Sequence, residues 1–116
     1  MPKVFFIITG DPRSSHRPAE ALRIAAGVGA WQKATVSLYF RGKAVLALSE
    51  CPDDFLDADH FSRYLPLVAE WGRPIYVQSG LLAWVNGPGA TPLPYQEITD
   101  AELAHITAQQ DYVLRF

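Results

Sequence analysis

The sequence predicts an α/β sandwich built on a mainly parallel sheet of four to five strands. Three observations carry that prediction. The chain opens on a continuous apolar run, Val4 to Ile8, closed by Gly10-Asp11-Pro12, the pattern of a strand buried on both faces. Strand-forming runs then alternate with segments of helical period. Residues of the apolar set make up 49% of the chain against 19% charged, which supplies a core and argues against disorder. The 116 residues fit one ordinary domain over 1–116, large enough to need no disulfide or metal staple.

The first strand is expected over 3–9. Asp11 to Arg17 is polar, carries Pro12, Ser14 and Ser15, and reads as a loop. Pro18 suits the first turn of a helix that runs to Trp31. Ala21, Ile24, Val28 and Trp31, three and four apart, make its apolar face. Gly27 and Gly29 weaken this helix and are read as small residues that let it pack close to the sheet. Thr35 to Phe40 has strong β propensity and predicts a second strand over 34–40, ended by Arg41-Gly42. The stretch 44–48 is a candidate for a short fifth strand. Ser49 to Asp59, with Pro52 and four aspartates, reads as an irregular loop.

Phe61 to Trp71 is expected to be helical, with Gly72 as its stop and Pro66 in the first turn or at a kink. A third strand follows over 74–79, ended by Gly80. Leu81 to Trp84 begins a short helix, and Asn86-Gly87-Pro88-Gly89 with Pro92 and Pro94 marks a long loop. Thr99 and Glu102 form a capping box for a helix to about Gln110, and a last strand covers 112–116.

Ten Lys+Arg against twelve Asp+Glu leave a net charge of -2, without the basic field of a nucleic-acid binder. The apolar run Val4 to Ile8 is too short for a signal peptide or a bilayer span. The one cysteine, Cys51, cannot form an internal disulfide, and a reducing cytoplasm is the expected compartment.

Ligands of parallel α/β sheets bind outside the carboxyl ends of the strands. Three stretches belong there. Arg13, His16 and Arg17 precede a helix N-terminus, where N–H groups and the dipole favour a small anion. The loop has neither a Gly-x-Gly-x-x-Gly pattern nor a P-loop ending, and a solvated basic loop is the competing reading. Ser49 to Asp54 holds Cys51, a weak catalytic candidate because its acidic neighbours raise a thiol pKa. Asp53, Asp54, Asp57, Asp59 and His60 lack the spacing and turn glycine of a calcium loop, so no metal is expected. Capping of the next helix by Asp57 or Asp59 is the favoured role. The third stretch is Gln78-Ser79-Gly80, where Ser79 has no Gly-x-Ser-x-Gly elbow. His16, His60 and His105 show no zinc spacing. Trp31, Trp71 and Trp84 read as packing residues, with Trp84 the one placed for an interface or pocket. Right-handed crossovers are expected to bring Arg13, His16 and Arg17 near Ser49, Gln78 and Ser79.

The opening VFFIITG, the helix PAEALRIAAGVGAW, the stretch ATVSLYFRGKAV, the passage RYLPLVAEWGRPIYV and the ending ITDAELAHITAQQDYVLRF together resemble the DsrE-like family of sulfur-relay and intracellular sulfur-oxidation proteins. The resemblance implies a three-layer α/β/α sandwich, a sulfurtransferase-like ancestry without a cofactor, and assembly with itself or with related DsrE-like subunits. Aromatic residues in loops, notably Trp84 and Tyr95, agree with that assembly. In sulfur-carrying members a cysteine just after the strand matching Ile75-Tyr76-Val77 accepts sulfur as a persulfide. Here that position falls on Gln78 or Ser79, neither of which can carry a persulfide. The leading expectation is a non-catalytic binding or scaffold member. The alternatives are a sulfur carrier using Cys51 and a small anion- or nucleotide-binding protein using the loop from Gly10 to Arg17.

Overall fold

Every strand of the sheet runs in the same direction. The computed structural model describes residues 2–30, 34–48, 56, 57, 60, 61, 63, 64, 67, 68, 75–80 and 95–116. Five strands, β1 (Lys3–Ile8), β2 (Thr35–Phe40), β3 (Ile75–Gln78), β4 (Tyr95–Ile98) and β5 (Tyr112–Arg115), lie in the order β4-β3-β2-β1-β5. Helix α1 (Arg17–Ala30) joins β1 to β2, and α2 (Asp100–Ala108) joins β4 to β5. The expected class, a helix-covered parallel sheet, is the observed one.

Alternate residues of each strand serve opposite faces. Val4, Phe6 and Ile8, with Val36, Leu38, Phe40, Ile75 and Val77, form one buried cluster beneath α1. Helical residues Phe61 and Val68 complete it. Phe5, Ile7, Tyr39 and Ile98 form a second cluster, against which Leu103 and Ile106 of α2 pack. Here Phe5 meets Tyr39 at 6.3 Å and Tyr76 edge-on at 6.2 Å, ring geometries that add to simple burial.

Three expectations are corrected. The stretch 44–48 is not a strand: Gly42–Leu48 is a 3₁₀ helix. Gly42 adopts φ +60, and the Ala44 N–H closes on the Arg41 carbonyl at 3.2 Å, a turn that turns the chain away from the sheet. The fifth strand is instead Tyr95–Ile98, at the sheet edge beside β3. Gln96 and Glu97 are exposed, so this strand lacks the apolar run by which the others are recognised. The buried side of α1 is Pro18, Ala19, Ala21, Leu22, Ala25, Ala26 and Gly29, with Ile24 and Val28 only partly buried at its flank. Gly27 is exposed, and a Cβ built there meets nothing within 4 Å, so close packing does not explain it. Trp31, Pro66, Trp71 and the segment 81–94, which includes Trp84, lie outside the described residues.

Candidate functional site

A fully parallel sheet sends all its strand carboxyl ends to one edge. Along that edge stand the residues after β4, β3, β2, β1 and β5, in that order. The chain leaves β1 and β2 toward the α1 face, where Ala44 and Val45 are buried. It leaves β4 toward the opposite face, where α2 lies. The end of β3 is therefore flanked by a β2 connection that departs to the α1 side and a β4 connection that departs to the α2 side. Gln78 is the last residue of β3.

The Gln78 side chain is half-buried, and its Oε1 accepts from the Gly42 N–H at 2.9 Å. The positive φ of Gly42 aims that N–H across to the neighbouring strand end. The following Ser79 is exposed; its N–H donates to the Ile98 carbonyl at 3.0 Å, and the Gly80 N–H donates to Glu97 Oε1 at 3.2 Å. Gly80 itself has φ +89.

Arg41, read from sequence only as a strand stop, adds a cation to this edge. One guanidinium nitrogen, Nη1, donates to Asp100 Oδ1 at 2.8 Å and to the Tyr39 hydroxyl at 3.3 Å. These partners hold the Arg41 pKa above its ordinary value, with the Asp100 hydrogen bond the leading cause. Burial pushes the Tyr39 phenol up, so it stays protonated against the sheet. Asp100 opens α2 directly after Thr99, whose hydroxyl accepts from the Glu102 N–H at 3.2 Å while Glu102 Oε1 accepts from the Thr99 N–H at 3.0 Å. The capping box read from sequence is present and fixes where Asp100 stands.

The basic loop is engaged elsewhere. Asp11 Oδ2 accepts from Arg13 Nη2 at 3.0 Å, and Asp11 Oδ1 accepts from the Arg13 Nε and peptide N–H. That chelation lowers the Asp11 pKa. His16 Nδ1 lies 2.7 Å from Asp57 Oδ2, and the Leu56 N–H donates to the Pro12 carbonyl at 2.8 Å, so the loop is fastened to the turn at 56–57. Asp57 has φ 55, a left-handed conformation that aspartate tolerates better than most residues. Its carboxylate is thus committed to His16, while its carbonyl takes the His60 N–H. Arg17 reaches toward β5: Nη2 donates to the Arg115 carbonyl at 3.0 Å, and the guanidinium lies over the Phe116 ring at 5.6 Å.

At the start of α1, Ser15 Oγ accepts the Arg17 N–H and Pro18 has none to give. The Thr9 and Gly10 N–H groups both donate to the Phe116 carbonyl. Among the described residues, hydrogen bonds thus join Gln78 to the turn after β2, and the Arg13–Arg17 loop to the turn at 56–57. Ser49 and Cys51 lie outside the described residues. Among the described residues no His, Cys, Asp and Glu side chains gather as a metal-ligand group, and no helix is long and apolar enough to cross a membrane.

A comparison with protein-family models finds no match, and neither does a search of curated proteins. Among solved structures, the fold is similar to the ychN protein from E. coli, with a TM-score of 0.78 and 20% identity over 100% of both chains.

Proposed function

We propose that this chain is a non-catalytic, DsrE-like binding or scaffold module, related to sulfur-relay proteins and working as an oligomer in the cytoplasm. The likeness to ychN supports the fold on which that reading depends. The observation that carries it is the bond between Gln78 Oε1 and the Gly42 N–H at 2.9 Å. At the strand end where the family's sulfur carriers place a nucleophile, this chain places a carboxamide that ties two loops together. A carboxamide has no nucleophilic sulfur to load, but it leaves an N–H₂ group able to hold a polar or anionic ligand at the strand edge. Ser79 lies beside it, and Arg41, ion-paired with Asp100, follows the neighbouring strand β2.

The test is incubation with a low-molecular-weight persulfide donor, read by intact mass on wild type, Cys51→Ser and Gln78→Cys. Wild type is expected to take up little sulfur, Cys51→Ser none, and Gln78→Cys one added sulfur at the new thiol. Saturable loading of wild type that disappears in Cys51→Ser overturns the reading and makes the chain a sulfur carrier through Cys51. Gln78→Cys also removes the acceptor from the Gly42 N–H, so it is expected to lose about 1 kcal/mol of stability while remaining folded.

A further inference from the structure

β5 is an edge strand whose middle is apolar and uncovered: Tyr112 is 61% exposed, Val113 36% and Leu114 40%. Such an edge offers unpaired peptide groups to another strand. Which groups those are follows from the ladder. The Phe116 N–H donates to Ile7 and the Phe116 carbonyl accepts from Thr9, so the peptide groups of Phe116 face β1. Alternation then turns those of Leu114 and Tyr112 toward β1 and those of Val113 and Arg115 outward.

We propose that β5 pairs antiparallel with β5 of a second copy of this chain, about a two-fold axis at Val113, joining the two sheets edge to edge. The proposal names a partner surface for the scaffold reading above and rests on that reading's oligomer.

The sequence of the strand is self-complementary in this register. Reading Asp111-Tyr112-Val113-Leu114-Arg115 against its own reverse sets Arg115 opposite the partner's Asp111, Tyr112 opposite the partner's Leu114, and Val113 opposite itself. Opposite charges and aromatic–aliphatic pairs directly across strands both stabilise. The pairs also share faces. By register with Val4 and Phe6, Tyr112 and Leu114 lie on the α1 side, while Val113 and Arg115 lie on the α2 side with Phe5 and Ile7.

The hydrogen bonds fit as well. Val113 exchanges both its peptide bonds with the partner's Val113. Of the next pair, the Arg115 carbonyl is already held by Arg17, and Asp111 is held to Lys3 twice: its N–H donates to the Lys3 carbonyl and its Oδ2 accepts from the Lys3 N–H at 2.7 Å, which leaves Oδ1 to face the partner's Arg115. Those two groups would have been each other's partners, so neither is left unpaired by the contact. Arg17 sits at the same end as Arg115 and adds positive charge where the partner's Asp111 arrives. An isologous contact of this kind closes on itself and does not propagate into fibres.

The experiment is sedimentation velocity on the full chain across micromolar concentrations. The variants are Arg115→Asp, Asp111→Arg, the double exchange, and Val113→Pro. Wild type is expected to sediment as a dimer or a higher even assembly. Each single charge reversal places like charges opposite at both symmetry-related sites and weakens association about tenfold or more; the double exchange restores it. Val113→Pro removes an outward N–H that β1 does not use, so it is expected to lose association while keeping its far-ultraviolet circular dichroism. If Val113→Pro unfolds, the charge series decides alone. A monomeric wild type, or an assembly that none of these variants weakens, overturns the proposal. Persulfide loading is read at Cys51 and Gln78 and not at this edge. Sulfur uptake by wild type would therefore sink the non-catalytic reading and leave the edge pairing standing, and an assembly through another surface would do the reverse.

Discussion

Asp11 illustrates how a single carboxylate decides what a basic loop has left to offer. It accepts from the Arg13 peptide N–H and from two nitrogens of the Arg13 guanidinium, a chelate formed within three residues. Its pKa is lowered chiefly by the side-chain hydrogen bond from Arg13. The folded form therefore holds its proton less tightly than the unfolded chain. The stabilisation is complete above the ordinary carboxylate range and is lost as pH falls through the lowered folded value. Asp11→Asn is expected to be less stable than wild type near neutrality, and the gap should close on acidification. Urea midpoints of both proteins between neutral and strongly acidic pH measure this directly. A gap that stays constant with pH would mean that the carboxylate's charge contributes nothing.

At the scale of the element, α1 and α2 differ in what holds them. α1 is anchored by a buried row of small residues and Leu22, so packing decides its stability. Gly27 stands on its exposed side, with open space where a Cβ would go. Gly27→Ala is expected to stabilise the protein by about 1 kcal/mol, since only the backbone entropy of glycine is removed. A higher thermal midpoint is the readout, and an unchanged or lower one would contradict the assignment of that face to solvent. α2 has no fully buried residue and depends more on its ends. Its capping box closes both ways between Thr99 and Glu102. Thr99→Ala is expected to cost about 1 kcal/mol in chemical denaturation, with Thr99→Ser recovering most of it. The box also sets the position of Asp100, so the Arg41 ion pair should loosen in the alanine variant.

For the whole molecule, the described residues cover the two faces of the sheet unequally. The cluster beneath α1 includes Phe6, Ile8, Leu38 and Phe40, each 1% exposed or less, whereas α2 contributes only the partly buried Leu103 and Ile106 to the other face. Phe6 stacks on Phe116 at 5.8 Å, which ties the first strand to the last residue of the chain. Phe6→Ala is expected to cost about 3–5 kcal/mol, because it removes a large buried ring between packed layers. Leu103→Ala, at a half-open surface, should cost about 2 kcal/mol or less. Equilibrium denaturation of both variants compares the two layers, and equal losses would mean that the α2 face carries as much of the core as the α1 face.

Much of this fold was legible in the amino-acid order because its signals are local. Runs of Val, Ile, Phe and Tyr announce β1, β2 and β3; Pro18 announces the start of α1; Thr99 with Glu102 announces α2. Each depends on a side chain and neighbours a few residues away, so the sequence alone determines the parallel α/β class. Two elements were not legible. Tyr95–Ile98 is a strand because β3 presents a free edge to it, although Gln96 and Glu97 are weak strand formers. Residues 44–48 form a 3₁₀ turn although Val45 and its neighbours read as extended, because Gly42 turns the chain and gives its N–H to Gln78. At the candidate site, the sequence could place Gln78 at a strand end but could not choose its partner. Gly42 lies 36 residues away, Asp57 lies 41 from His16, Arg41 lies 59 from Asp100, and Arg17 reaches Arg115 across 98. Contacts at such separations are set by strand order and by which carboxyl ends become neighbours, and no local propensity encodes that choice.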